Sequence, residues 1–283
     1  MPESTESSTV GHEALTVVDA DSPPRGVRLA ELWQRRELVA ALVMRDVGVR
    51  YKQTVLGAAW AIIQPLVAMI IFSVIFGRLA QIPSDGYPYP IFVYTALLPW
   101  TLFASGVSAC GQSLLGSADL VGKVYFPRII VPMVSLGSPL VDFLVASVVL
   151  LLLMMFYAAW PGAGVLLAIP LLIVLLLFAF GLGLILAALT LSYRDFRFVI
   201  PFMVQIWMFA TPVVYPQSLI PDQWQWLLYL NPMSGLISGL RAAFLGGTQD
   251  WIGVSASVVI TFAVLAIGVR YFARVERRFA DVI

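Results

Sequence analysis

All but two of the 17 Lys and Arg residues fall on one side of a bilayer once the long apolar stretches of this chain are read as membrane spans. Six such stretches run over 57–77, 91–112, 129–157, 163–190, 198–215 and 252–270. Arg25, Arg28, Arg35, Arg36, Arg45, Arg50 and Lys52 precede the first span. Lys123 and Arg128 lie between the second and third, Arg194 and Arg197 between the fourth and fifth, and Arg270, Arg274, Arg277 and Arg278 at the C-terminal end. Only Arg78 and Arg241 fall on the other side. Short positive loops are retained in the cytoplasm, so this reading places both termini inside.

A residue set that is 60% hydrophobic and 12% charged is consistent with an all-α integral membrane fold. Soluble domains carry about 25% charged residues, and a spanning helix needs about 20 mostly apolar ones. The single cysteine, Cys110, lies in an apolar span and reads as a small core residue. Residues 1–28 are rich in Ser, Thr, Glu and Pro and have no apolar run behind a basic start. They are expected to form a disordered cytoplasmic tail rather than a signal peptide.

Residues 29–52 read as an amphipathic helix. Leu29, Leu32, Trp33, Ala40, Val43, Met44, Val47 and Tyr51 share a face, which Arg36 intrudes upon. Such a basic helix beside a first span lies in the cytoplasmic interface, or packs on a partner protein. The six-span domain then occupies 53–275 and leaves a cytoplasmic end at 276–283.

Several polar and helix-breaking residues interrupt the spans. Gln64-Pro65 breaks the first, which fits either a polar pathway or a packing kink. Asp142 lies near the middle of the third, behind Pro132 and Pro139. It must face protein or water, as a pathway residue or as a helix-to-helix hydrogen bond. Gly181 and Gly183 allow close approach in the fourth. The fifth carries Pro201, Gln205 and Pro212 among Phe202, Trp207 and Phe209. The segment 216–251 is interrupted by Asn231-Pro232, Gly235 and Gly239 and is too broken to span. It reads as two short helices that re-enter the outer leaflet, with Trp224, Trp226 and Tyr229 at the interface.

Catalytic chemistry is not legible. The one histidine, His12, is in the tail, and no metal-ligand cluster or paired carboxylates stand inside a span. The stretch from Gly116 to Val124 resembles a phosphate loop but fails it: the first glycine is one place too early, and Val124 lacks the hydroxyl that holds magnesium. A carrier driven by an ion gradient would show more intramembrane charge than Asp142. These features point to a permease that borrows its energy from a separate subunit.

The run Arg45-Asp46-Val47-Gly48-Val49-Arg50-Tyr51-Lys52-Gln53-Thr54-Val55-Leu56-Gly57, followed by Trp60 and Pro65, resembles the start of type-two ATP-binding-cassette permeases that export bacterial polysaccharides. Gly122-Lys123-Val124-Tyr125-Phe126-Pro127-Arg128, Tyr193-Arg194-Asp195, Thr211-Pro212-Val213-Val214-Tyr215-Pro216, and Asn231-Pro232 followed by Arg241 are similar too. The likeness runs from 29 to 275 in one order; the tail before it departs from the pattern and stays unassigned.

The resemblance implies a homodimer of permeases with two ATPase subunits in the bacterial inner membrane. ATP and magnesium would be bound by the ATPase, with no cofactor in this chain. The cargo would be an O-antigen-like polymer on undecaprenyl diphosphate, moving through a tunnel lined by the first and fifth spans. Trp60, Gln64, Phe202, Gln205 and Phe209 are the expected lining. Arg45, Arg50, Lys52, Asp119, Lys123, Arg128 and Arg194 are expected to meet the ATPase or the lipid diphosphate. Trp224, Trp226, Asn231 and Arg241 are expected at the outer gate. Read from the residues alone, aromatic side chains in spans serve packing as readily as sugar binding, and inner arginines serve topology as readily as ligands. Another cargo, such as a drug or lipid, is the alternative. A membrane-embedded glycan enzyme would need catalytic groups clustered at one interface, which the sequence does not show.

Overall fold

The fold is that of a computed structural model describing residues 35–52, 57, 59–116 and 127–276. The expected tail 1–28, Asp119, Lys123, the rest of the false phosphate loop after Gly116, and the C-terminal end past Glu276 lie outside the described residues. Every regular element among the described residues is helical. In chain order they are α1 (Arg36–Lys52), α2 (Ala59–Phe72, continued by a π-helical segment Ser73–Leu79), α3 (Tyr89–Gly116), α4 (Ile130–Ser135), α5 (Gly137–Phe156), α6 (Ala168–Ser192), α7 (Phe196–Phe209), α8 (Gln225–Leu230), α9 (Pro232–Leu245) and α10 (Trp251–Glu276), with short 3₁₀ turns at Ala163–Leu167, Gln217–Leu219 and Asp222–Trp224.

Among the described residues, five helical stretches are long and apolar enough to cross a membrane: Ala59–Leu79, Tyr89–Gly116, Ile130–Phe156, Gly164–Ser192 and Trp251–Glu276. The helix expected over 198–215 is shorter. It ends at Phe209 after 14 residues, a rise of about 21 Å against a hydrocarbon core of about 30 Å. The third stretch is also not one helix. It breaks at Leu136 between α4 and α5, because Pro139 has no N–H to give the carbonyl of Ser135.

The centre of the fold is α3. Of the residues in its most apolar stretch 78% are buried, against 11% in α2. α3 packs on α6, α5, α9 and α2, and α6 packs on α10. Two close approaches depend on glycine. A Cβ at Gly183 would stand 2.3 Å from Cβ of Cys110 on α3, and one at Gly268 would stand 2.3 Å from the carbonyl oxygen of Gly181. Lipid gives helices no hydrophobic reason to associate, so such backbone approach supplies the van der Waals contact that holds α3, α6 and α10 together. Cys110 is fully buried, as a core residue should be.

α1 buries no side chain completely. It rests on α4 and α5, with Leu38, Val39, Leu42 and Val43 against a core made by Leu114, Ile130 and Phe272. The expected apolar face holds in part: Val43, Val47 and Tyr51 are partly buried, Ala40 and Met44 are exposed, and Leu29, Leu32 and Trp33 lie outside the described residues. Leu38, Val39 and Leu42 join that face because neighbouring helices, not sequence periodicity alone, select what is packed.

Candidate functional site

Polar side chains inside the spans fall into two overlapping groups, with Thr101 and Ser105 in both because each bonds a carbonyl of its own helix and lines a cleft. Most hydroxyls turn back on their own helix, as Ser147 does to the Phe143 carbonyl and Thr190 to that of Leu186, each at 2.7 Å. That geometry satisfies a donor where no water is present. The second group converges on a cleft of about 470 Å³ bounded by α2, α3, α5 and α7. Gln64 and Gln205 line it from opposite helices, Thr101, Ser105 and Ser108 from α3, and Asp142 from α5. Pro65 and Pro201 also line it. Gln64 and Gln205 are exposed within the protomer, and neither makes a hydrogen bond among the described residues. An unpaired amide in hydrocarbon costs several kcal/mol, so these side chains require water, cargo or another protein surface.

Trp60, Phe202 and Phe209 do not join that lining. They are 54%, 59% and 53% exposed on α2 and α7. Of the five expected pathway residues, the fold brings Gln64 and Gln205 to one cleft and leaves Trp60, Phe202 and Phe209 out of its lining. The α3 stripe was missed in sequence, although Thr101, Ser105 and Ser108 recur at helical spacing and could have been found.

Asp142 is not alone near the middle of a span. It lies in the second turn of α5 beside the last turn of α1. The Tyr51 hydroxyl donates to its Oδ1, and Arg50 Nη2 lies 2.8 Å from its Oδ2. Burial, and then the bond to Asp142, push the Tyr51 hydroxyl up to about 12. The phenol thus remains a donor at any physiological pH. Of the two sequence readings of Asp142, the hydrogen bond between helices is observed, and so is its place on the cleft wall.

The residues expected to meet an ATPase are divided. Arg45 pairs with its neighbour Asp46 at 2.8 Å, and both line a smaller cleft of about 240 Å³ between α1, α3 and α4. Arg50 is taken up by Asp142. Arg128 Nη1 donates to the carbonyl of Glu276 at 3.2 Å, and its backbone N–H to the Glu276 carboxylate at 3.3 Å. That contact places the segment before α4 and the end of α10 at the same end of the molecule. Lys52 and Arg194 are exposed.

At the other end, α7 stops because its outgoing chain is captured. Tyr215 donates to the carbonyl of Phe209, Asn231 to that of Ala210, Arg241 to those of Pro212 and Val213, and Tyr89 to that of Val214. These carbonyls have no helical partner, and side chains satisfy them in its place. The Arg241 guanidinium also lies 3.8 Å over the Phe92 ring, a favourable cation–π geometry. Asn231 and Arg241, expected as gate residues, are anchors of this irregular stretch; Arg241 is buried. Trp224 and Trp226 are half exposed nearby in sequence. Trp207 packs edge-on against Phe103 and Phe178, at 5.4 and 6.0 Å between ring centroids.

A model of the ABC-2 type transporter family matches residues 37–245. The chain is 28% identical over 250 residues to the O-antigen export system permease protein RfbA of Klebsiella pneumoniae, covering 87% of this chain and 95% of the relative. It is 32% identical over 246 residues to the protein of the same name from Myxococcus xanthus, covering 84% and 93%. It is 24% identical over 244 residues to the polysialic acid transport protein KpsM of Escherichia coli, covering 83% and 92%.

Proposed function

The chain belongs to the ABC-2 type transporter family, and from that premise we propose that it is the permease subunit of an exporter that moves a lipid-linked, O-antigen-like polysaccharide out across the inner membrane. Two copies form the pore and two ATPase subunits drive it, binding the ATP and magnesium that this chain does not. Both termini are cytoplasmic. α7 serves as a sixth, shortened span, completed by the captured chain after Phe209, and α8 and α9 re-enter from the outer side.

The observation that carries this reading is the cleft. A sugar polymer presents hydroxyls and apolar C–H faces. A pathway for it needs amides and hydroxyls such as Gln64, Gln205 and Ser105 beside aromatic surfaces such as Trp60, Phe202 and Phe209. Gln64 and Gln205 are exposed within one protomer, which suits a pathway shared with a second copy.

Deletion and complementation test the cargo. Cells lacking the chain should lose surface polysaccharide and accumulate the lipid-linked polymer inside. Unchanged surface polymer, with loss of drug or lipid efflux instead, would assign the permease to the alternative cargo.

A further inference from the structure

We infer that the contact of Arg50 and Tyr51 with Asp142 is a latch, which holds the last turn of α1 against α5 and keeps the polar cleft narrow. This inference rests on reading the cleft as the pathway. Asp142 receives two successive α1 residues, one as an ion pair and one as a hydrogen bond. Arg50 is the lining residue that α1 contributes, and Asp142 lines the same wall. The latch therefore ties a helix at the end of the molecule directly to the cleft.

Its strength suits a reversible contact. The side chains of Arg50 and Asp142 are 46% and 20% exposed, so water reaches the pair and weakens it. Asp142 nevertheless sits on an apolar helix, where an uncompensated carboxylate is unfavourable. The closed arrangement is thus preferred without being locked. The remainder of α1 adds only partly buried contacts, through Leu38, Val39, Leu42 and Val43. Movement of α1 by a partner subunit would widen the cleft, and a wide cleft would loosen α1 in return, as linkage requires.

The test measures access to the cleft in membrane vesicles containing the full chain, with Cys110→Ala as background and Ser105→Cys as the probe. A small water-soluble maleimide reports the rate. Asp142→Asn and Arg50→Gln should each label about fivefold faster than the parent, the order expected for loss of one partly exposed ion pair. The exchange Arg50→Asp with Asp142→Arg should return the rate to within about twofold of the parent. Single variants that label at the parent rate, or an exchange as fast as the singles, would overturn the latch. If Asp142→Asn does not fold, Arg50→Gln and the exchange decide the question alone. The measurement needs no ATP, partner or polymer, so a failed latch leaves the export reading standing, and a failed export reading leaves these rates interpretable.

Discussion

The indole nitrogen of Trp207 donates to the side-chain oxygen of Asn231 at 2.9 Å. The same oxygen caps α9 by accepting from the backbone N–H of Met233, while the amide nitrogen of Asn231 donates to the Ala210 carbonyl and the Thr211 hydroxyl. One side chain thereby ends α7, starts α9 and fixes the ring that locks α7 to α3 and α6.

Replacing that side chain should be costly. Asn231→Ala removes a helix cap and leaves the Trp207 donor and the Ala210 carbonyl unsatisfied, a loss of about 2–4 kcal/mol in stability. Asn231→Asp keeps the acceptor and should cost less. Thermal unfolding in detergent reads the order, and an alanine variant as stable as the parent would show that the hub carries no weight.

The α6–α10 crossing gives a second expectation. Gly268→Val places Cβ within 2.3 Å of the Gly181 carbonyl, where backbone must move. It should destabilise the chain by more than about 3 kcal/mol. Gly48→Ala, with nothing within 4 Å of the added carbon, should be neutral or stabilise α1 by about 0.5 kcal/mol. Equal yields of folded protein for the two variants would refute the account of that crossing.

Sidedness is open to chemistry in intact cells. Gln223 and Ser192 are both exposed and fall on opposite sides in the charge-based reading. With Cys110 replaced, an impermeant thiol reagent should label Gln223→Cys from outside and leave Ser192→Cys untouched. External labelling of Ser192→Cys would reverse or break the six-span topology.

The long spans and the α6 glycines were legible because composition and small residues act locally. The end of α7 was not. Val213, Val214 and Tyr215 read as a continuing span, but the chain there is held by Tyr89, Asn231 and Arg241, donors from distant segments. Asp142 was legible as an anomaly and not as a pair, since Tyr51 lies 91 residues away. The cleft was half legible: Gln64 and Gln205 stood out as amides in apolar runs, whereas the aromatics beside them share a helix face without sharing the cavity. That difference arises from which face α3 covers, which α7 alone does not encode.

The proposed route of the polymer is the cleft between α2 and α7. A photo-crosslinking amino acid at Gln205 tests it, with a second at Val259, which is 69% exposed on α10, as the comparison. During export in cells, the Gln205 position should form adducts with lipid-linked polysaccharide and the Val259 position should not. No polymer adduct at Gln205, or adducts of equal yield at Val259, would contradict the account.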